Sequence, residues 1–404
     1  MDVAIAGCGP AGLAAALFLH RAGHNVRLFE RFAVASPVGS GLMLQETGLA
    51  VLDKLGLGTR MRALGQPVGR LYGRVVPSQR IVLDVRFSAM RPGATAVAVH
   101  RAALFQVLHD AVVAAAIPIE TARVIDGLDR ASDRRPILTF AGGGRAGPFD
   151  FVVDATGARS PLAGFAGVPV TRRMLPYGAL WASLPHRDGD PFEATVLEQR
   201  YRRASVMTGV LPVGRILEGG EPQLTFFWSL RPQDHAAWLQ SGLDRWKEEV
   251  LAVWPATEGL LGRIGHPDAL TLAAYGHHTL PLPIGDRIVF VGDSAHSTSP
   301  QLGQGANMAL LDVAALDLAL SRHGELADAL AAYARLRRFH VRFYQLVSAA
   351  FTPFYQSDDR VRPALRDALF DRVTKVPGVA PALARLVAGR MLDPLRRLGL
   401  EVPE

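Results

Sequence analysis

The chain has 404 residues, 49% of them hydrophobic and 20% charged, enough for a large core spread over about two domains. Its one cysteine, Cys8, excludes an internal disulfide and a cysteine metal cluster, and fits a reducing, cytoplasmic compartment. A net charge of +7, carried mostly by arginine with no basic run interleaved with aromatics, gives no nucleic-acid signature.

Val3 to Ala6 is a short apolar run suited to a buried parallel strand. Gly7, Gly9 and Gly12 follow in G-x-G-x-x-G spacing and open an apolar helix from Pro10 to Arg21. Asn25 to Glu30 is a second strand that closes on an acid. In this arrangement Gly7 allows the tight turn, Gly9 lets backbone approach a pyrophosphate, and Gly12 lets helix and strand pack. The helix N-terminus faces the phosphates and Glu30 accepts from a ribose hydroxyl. The fingerprint explains the early apolar run better than a leader peptide, since no basic segment precedes it. Elsewhere no run of about 18 apolar residues predicts a spanning helix. Cys8, inside the fingerprint, reads as a small buried residue.

A loop from Arg31 to Gly41, rich in small residues and containing Pro37, comes next. Thr47 precedes an apolar-periodic helix that stops at Gly56. Val68 to Phe87 alternates as a hairpin with its turn near Pro77. Ala96 to Val99 reads as a strand, His100-Arg101 opens a helix to Ala116, and Ile117 to Ile125 reads as another strand. Leu138 to Phe140 and Phe149 to Asp154 read as strands around a glycine-rich turn. The runs Ala179–Leu184, Ala194–Glu198, Ala204–Leu211 and Gln223–Leu230 then suggest antiparallel strands, followed by a helical insert from Pro232 to Trp254. IVFVGDSAH restores the parallel pattern, Gln304 to Leu320 is an apolar helix, and from Leu326 the chain is mostly helical with an arginine-rich tail. There is no C-x-x-C, no H-x-x-x-H and no G-x-S-x-G, so no metal site or nucleophile elbow is expected.

Three separated stretches agree: GCGPAG with Glu30, DATGARS at 154–160, and GDSAHSTSPQLGQGANMALLD at 292–312. Together with VHRAALFQVL, they resemble the class A flavin monooxygenases, the para-hydroxybenzoate hydroxylase-like superfamily. The resemblance implies an α/β fold: a Rossmann-like, GR2-type FAD-binding domain, an inserted mixed or antiparallel β-sheet substrate domain, and C-terminal helices. It divides the chain into a discontinuous FAD-binding domain of residues 1–67, 93–167 and 281–345, a substrate domain of 68–92 and 168–280, and a helical segment of 346–404. The fingerprint alone does not tell FAD from NAD; the resemblance implies non-covalent FAD, and, with one fingerprint and so no second nicotinamide domain, NAD(P)H bound only transiently over the flavin.

The cofactor-binding set so implied is Gly7, Gly9, Pro10, Ala11, Gly12, Glu30, Arg31, Gly41, Arg101, Val124, Asp154, Gly157, Arg159, Gly292, Asp293, Pro300, Gly303, Gly305, Ala306 and Asn307. Asp293 would accept from the ribityl chain, and the helix after Gly303 would aim its N–H groups at the electron-rich flavin edge. The middle motif departs from the family: Thr156-Gly157 stands where an Asp-Gly pair is usual. No side chain is assigned as catalyst; Pro300 and Gly303 are the candidates beside the ring. Trp181, Phe226, Trp228 and Pro300 are the candidate substrate pocket, although alternation puts Phe226 and Trp228 on one face and Phe227 on the other. His296 reads as structural rather than as a general base, and His277-His278 either edge the pocket or are solvated.

The implied reaction uses NAD(P)H and dioxygen to hydroxylate a small aromatic or lipophilic, prenylated or polyketide-like, substrate through a flavin hydroperoxide. Rival readings are a reductase or dehydrogenase of prenyl double bonds and a non-catalytic flavin-binding redox protein. A halogenase would need a W-x-W-x-I-P segment and a lysine, neither of which is found. The basic tail, with Arg366, Arg372, Lys375, Arg385, Arg390, Arg396 and Arg397, reads either as a helical cap or as a contact for an anionic membrane or acidic carrier.

Overall fold

Val3 to Ala6, apolar throughout, lies fully buried at the heart of a parallel sheet. The structure, a computed structural model, describes residues 1–34 and 40–403; Pro37 and its neighbours in the expected loop lie outside them. The sheet runs Ile284–Gly285, Ile288–Phe290, Phe151–Asp154, Asp2–Ala6, Asn25–Phe29, Ile119–Glu120. Every pairing in it is parallel except that of Ile284–Gly285 with Ile288–Phe290. The helices Pro10–Arg21, Arg101–Ala114 and Gly305–Arg322 pack on one another against this sheet, sharing one apolar core with it.

A seven-stranded sheet carries the middle of the chain. Its order is Thr271–Ala273, Gly178–Pro185, Gln223–Leu230, Val206–Gly214, Val196–Arg202, Arg70–Val75, Ile81–Arg86. The hairpin expected around Pro77 is therefore its far edge, joined by a parallel pairing of Arg70–Val75 with Val196–Arg202, and the sheet is mixed. Alternation splits its side chains. Leu180, Val210, Phe226 and Trp228 face the helices His235–Ser241 and Leu243–Val253, and pack with Trp238, Trp246 and Trp254. Leu211, Val213 and Phe227 face the opposite way, toward Met43, Val68 and Ala96.

Local expectations need correction in several places. The strand read from Ile117 to Ile125 is only Ile119–Glu120, paired at the sheet edge with Leu28 and Phe29. Ala122 takes a left-handed backbone (φ 56°) that turns the chain away, and Ile125–Arg130 joins a separate three-stranded sheet. The glycine turn at 142–144 links Pro136–Phe140 to Arg145–Ala146, whereas Phe151–Asp154 enters the parallel sheet. The helix expected after Thr47 begins at Glu46 and includes Thr47. The Leu326–Tyr355 helix runs unbroken through position 346, so the C-terminal helical segment shares it with what precedes. No helix among the described residues is long and apolar enough to cross a membrane.

The helical insert depends on Trp246, 1% exposed, whose ring meets Phe226 and Trp238 edge-on at centroid distances of 6.1 Å. Truncating it leaves a cavity as well as losing burial. Trp246→Ala is expected to destabilise the protein by about 3–5 kcal/mol in urea unfolding, and a loss below about 1 kcal/mol would contradict this packing.

Candidate functional site

The strand Asp2–Ala6 delivers the chain into a turn where backbone meets backbone. Gly7 has φ +97°, and a Cβ there would sit 2.7 Å from the Ala155 carbonyl oxygen. A Cβ on Gly12 would sit 1.9 Å from the Gly7 oxygen, whereas one on Gly9 meets nothing within 4 Å. Gly7 and Gly12 are thus required by the protein's own packing, and Gly9 borders open space. No side chain caps the Pro10–Arg21 helix, whose N-cap is Gly9, so its first N–H groups are left for an external acceptor. Glu30 is buried; its Oε2 accepts from the Cys8 N–H at 2.9 Å and its Oε1 from the Phe32 N–H at 3.1 Å. Burial and the Glu30 charge push the Cys8 thiol up to about 12, which makes it unreactive. Arg31 is exposed with its guanidinium over the Phe32 ring, and the Val124 carbonyl is spent on the Ala141 N–H.

The middle motif is held by Asp154, which is fully buried. Its Oδ1 accepts from the Thr156 N–H (2.9 Å) and hydroxyl (2.6 Å), and its Oδ2 accepts from the Ser160 hydroxyl. Desolvation raises its carboxyl above the usual range, against the Ser160 and Thr156 hydrogen bonds. Asp154 therefore orders its own turn, with both oxygens engaged. Thr156 supplies the hydroxyl that closes it, which gives the departure from the Asp-Gly pattern a structural role. Gly157 (φ +90°) has open space beside it, and Arg159 is exposed.

The third motif rests on Asp312, which is fully buried. Its Oδ2 accepts from the Gly292 N–H at 2.8 Å and from His296 Nε2 at 2.7 Å, and its Oδ1 accepts from Arg337 Nε at 2.6 Å. Burial works to raise its carboxyl, but His296 and Arg337 outweigh it and hold it below the ordinary value. His296 is committed to this cluster, as its structural reading requires. His278 donates from Nε2 to the Ser294 carbonyl at 2.6 Å; His277 is half-buried.

Asp293, next to the anchored Gly292, is exposed, yet the protein around it desolvates its carboxyl and raises it, opposed first by Arg101 and then by His296. Arg101, exposed at the start of its helix, donates its N–H to the Ser40 carbonyl at 2.7 Å. The Gly292 turn also touches the fingerprint helix: a Cβ on Gly292 would lie 3.4 Å from Ala11 Cβ.

After the Pro300–Leu302 turn, Gly303 (φ +61°) and Gly305 open the Gly305–Arg322 helix, and a Cβ on Gly305 meets nothing within 4 Å. Ala306 is half-buried. Asn307 is fully buried, and its amide is spent within the protein. Nδ2 donates to the Met43 and Gly303 carbonyls, both at 3.0 Å, and Oδ1 accepts from the Gln45 N–H at 2.8 Å. It ties the Gly41–Leu44 strand to the Gly303 turn. Gly41 itself abuts the seven-stranded sheet, where a Cβ would meet Thr225 Oγ1 at 2.7 Å.

The candidate substrate residues are not brought together. Trp181 pairs in register with Phe227, their ring centroids 4.8 Å apart, and its Nε1 donates to the Tyr275 hydroxyl at 2.7 Å. Phe226 and Trp228 lie on the reverse face, in the core under the helical insert. Phe227 and Tyr275 thus belong with Trp181, a grouping that only strand register reveals. Burial lifts the Tyr275 hydroxyl up to about 12, so it stays protonated. His100 was also missed. Its Nδ1 accepts from the Ala102 N–H at 3.1 Å, which leaves Nε2 to donate to Ser183 Oγ at 2.9 Å and links helix to sheet.

Open space at Gly9 and Gly305, with exposed Asp293 on the turn that approaches the fingerprint helix and Arg101 acting on its charge, fits a ligand that carries both phosphates and hydroxyls. Comparison with known proteins agrees. Residues 1–343 match the family described as FAD binding domain. The chain is 30% identical over 366 residues to a kynurenine 3-monooxygenase of Salinispora arenicola, covering 84% of this chain and 76% of that one. It is 28% identical over 364 residues to a 3-amino-4-hydroxybenzoate 2-monooxygenase of Streptomyces cremeus, covering 83% and 82%. In fold it is similar to the tetrameric form of 2-methyl-3-hydroxypyridine-5-carboxylic acid oxygenase, with TM-score 0.78 and 22% identity over 100% of this chain and 99% of that one.

The two outer glycines separate experimentally. Gly12→Ala should lower unfolding stability by at least about 1–3 kcal/mol through its backbone clash. Gly9→Ala should melt as wild type yet bind FAD at least about tenfold more weakly, measured by quenching of flavin fluorescence. Equal stability losses in the two variants would contradict the assignment.

Proposed function

The chain belongs to the FAD binding domain family of flavin monooxygenases, and from that premise we propose that it uses NAD(P)H and dioxygen to hydroxylate a small, electron-rich aromatic substrate. Its cofactor is FAD. Bound FAD supplies the redox and oxygen-transfer chemistry; the protein binds it, orients it and keeps water out. The observation that carries the reading is the pair of helix N-termini bordered by open space at Gly9 and Gly305, with exposed Asp293 next to a turn fixed by a buried ion cluster.

In this proposal the N-terminus of the Pro10–Arg21 helix, with Gly9, receives the pyrophosphate, and Glu30 takes a ribose hydroxyl beside its backbone contacts. Arg101 pairs with phosphate and Asp293 accepts from the ribityl hydroxyls. Gly303 and Gly305 would leave room at the start of the Gly305–Arg322 helix for the cofactor, toward which its N-terminal N–H groups would turn partial positive charge. Asp154 and Asn307 serve the same site indirectly, by holding its turns.

The flavin unit is then residues 1–67, 93–167 and 281–345, and the substrate unit is 68–92 and 168–280. Support comes from the Arg70–Arg86 hairpin, which joins the seven-stranded sheet rather than the parallel one. Trp181, Tyr275 and Phe227, on the sheet face turned toward Gly41, are the substrate wall in this reading, and Pro300 is assigned to its flavin side. The relatives' names point to aromatic substrates bearing ring amino or hydroxyl groups, which enrich the ring toward electrophilic oxygen.

Asp293→Ala should weaken FAD binding by about ten- to a hundredfold, the value of a hydrogen bond to a charged group, in titration of the apoprotein. Turnover should be tested with kynurenine and 3-amino-4-hydroxybenzoate as probes under labelled dioxygen. One labelled oxygen atom is expected in the product by mass spectrometry. Product made at full rate without oxygen would move the protein to the reductases.

A further inference from the structure

The residue before Gly305 turns away from the open space that Gly305 borders. Gln304 is 2% exposed, and its Nε2 donates to the Val387 carbonyl at 2.6 Å. Val387 ends the helix Val379–Val387, and the last carbonyls of a helix have no partner within it. Those of Ala384, Arg385 and Leu386 are taken by the Ala388, Arg390 and Gly389 N–H groups, and that of Val387 by Gln304. Gly389 (φ +75°) lies against the same amide: a Cβ there would sit 2.7 Å from Gln304 Oε1 and 2.8 Å from Thr47 Oγ1. The turn from Val387 to Arg390 is thus built onto Gln304.

The same turn carries two more links to the site. His340 Nε2 donates to the Gly389 carbonyl at 3.1 Å, and its Nδ1 accepts from Arg337 Nη1 at 3.3 Å. Burial and the Arg337 charge lower this imidazole to about 3, so it stays neutral with one nitrogen donating and the other accepting. Arg337 in turn pairs with Asp312, which anchors Gly292. Arg390 Nη1 donates to Glu46 Oε2 at 2.6 Å, one residue from the Gln45 N–H that Asn307 holds. One C-terminal turn is therefore tied to both the Gly292 turn and the Gly303–Gly305 turn, and to the second of these Gln304 is the direct link.

Stability alone does not call for a glutamine here. Gln304 Oε1 is buried without a hydrogen-bond partner, and an orphaned buried acceptor offsets much of what the Nε2 bond contributes. A methionine of the same length would lose that bond but bury no orphaned oxygen, so the exchange is close to neutral for folding. What the amide adds is direction: it hangs the start of the Gly305–Arg322 helix on a fixed carbonyl. On the cofactor placement of the proposed function, we propose that Gln304 is a positioning residue, which makes the C-terminal turn Val387–Arg390 the support of the helix start that faces FAD. The tail thereby sets how strongly that N-terminus favours the extra negative charge of the reduced cofactor.

Gln304→Met separates position from stability. Its apoprotein should unfold at the wild-type urea midpoint. At saturating FAD its midpoint potential should lie about 30 mV below wild type, which corresponds to an about tenfold greater loss of affinity for two-electron-reduced than for oxidised FAD. Gly305→Leu tests the cofactor placement itself, because a side chain there enters open space; it should weaken FAD binding at least about tenfold by flavin fluorescence. Folded Gly389→Ala, whose methyl presses on Gln304 from the tail, should move the potential in the same direction as Gln304→Met. An unchanged potential in Gln304→Met beside weakened binding in Gly305→Leu would overturn the proposal and leave the cofactor placement standing. So would a lowered urea midpoint in Gln304→Met with the potential unchanged. Wild-type binding in Gly305→Leu would overturn the placement and the proposal together.

Discussion

The carboxylate of Asp312 is the constraint on which the site depends. A buried charge is tolerated only when it is paired and hydrogen-bonded, and Asp312 meets that condition with Arg337, His296 and the Gly292 N–H. The backbone N–H matters most, because it pins the turn from which Asp293 projects. Beside it, the Ser294 hydroxyl donates to the Asp154 carbonyl at 2.6 Å and ties this turn to the middle motif. Asp154 in turn closes its own loop, whose Ala155 carbonyl presses on Gly7. The three motifs, far apart in sequence, are one interlocked unit.

Within that unit, motif residues divide into two kinds. Asp154, Asp312 and Asn307 are buried, with their polar atoms spent inside the protein. Gly9, Arg101, Asp293 and Gly305 border solvent or open space. The first group sets positions, and the second is the group to which the proposed function assigns the ligand. Glu30 belongs to both, since its carboxylate already steadies the fingerprint turn through the Cys8 N–H and retains acceptor capacity for a ribose. Preorganisation of this sort lets a large cofactor bind without reordering the backbone.

Much of this was legible in the sequence because the signals are local. Glycine spacing between a strand and a helix, and an acid at the next strand's end, identify the fingerprint within 30 residues. The antiparallel strands of the middle and their helical insert also followed from alternation and breakers, but the parallel pairing of Arg70–Val75 with Val196–Arg202 that makes the sheet mixed did not. What stayed hidden is non-local. Trp181 joins Phe227 rather than Phe226 or Trp228 because of the register between Gly178–Pro185 and Gln223–Leu230. Asp312 and Arg337 meet because two helices pack, which neither helix announces. The single-strand reading of Ile117 to Ile125 failed on one left-handed residue, Ala122. In the tail, the exposed apolar row along Val361–Val373 is a feature the arginine-rich sequence did not announce.

The most direct test of the account is the FAD dissociation constant of Asp312→Asn, measured where circular dichroism shows the variant folded. The substitution keeps the size of the side chain but removes the charge that holds Gly292, His296 and Arg337 together. The account predicts affinity reduced by about ten- to a hundredfold, with faster amide exchange at Gly292, although Asp312 is fully buried with both oxygens engaged inside the protein. Wild-type affinity in the folded variant would contradict it.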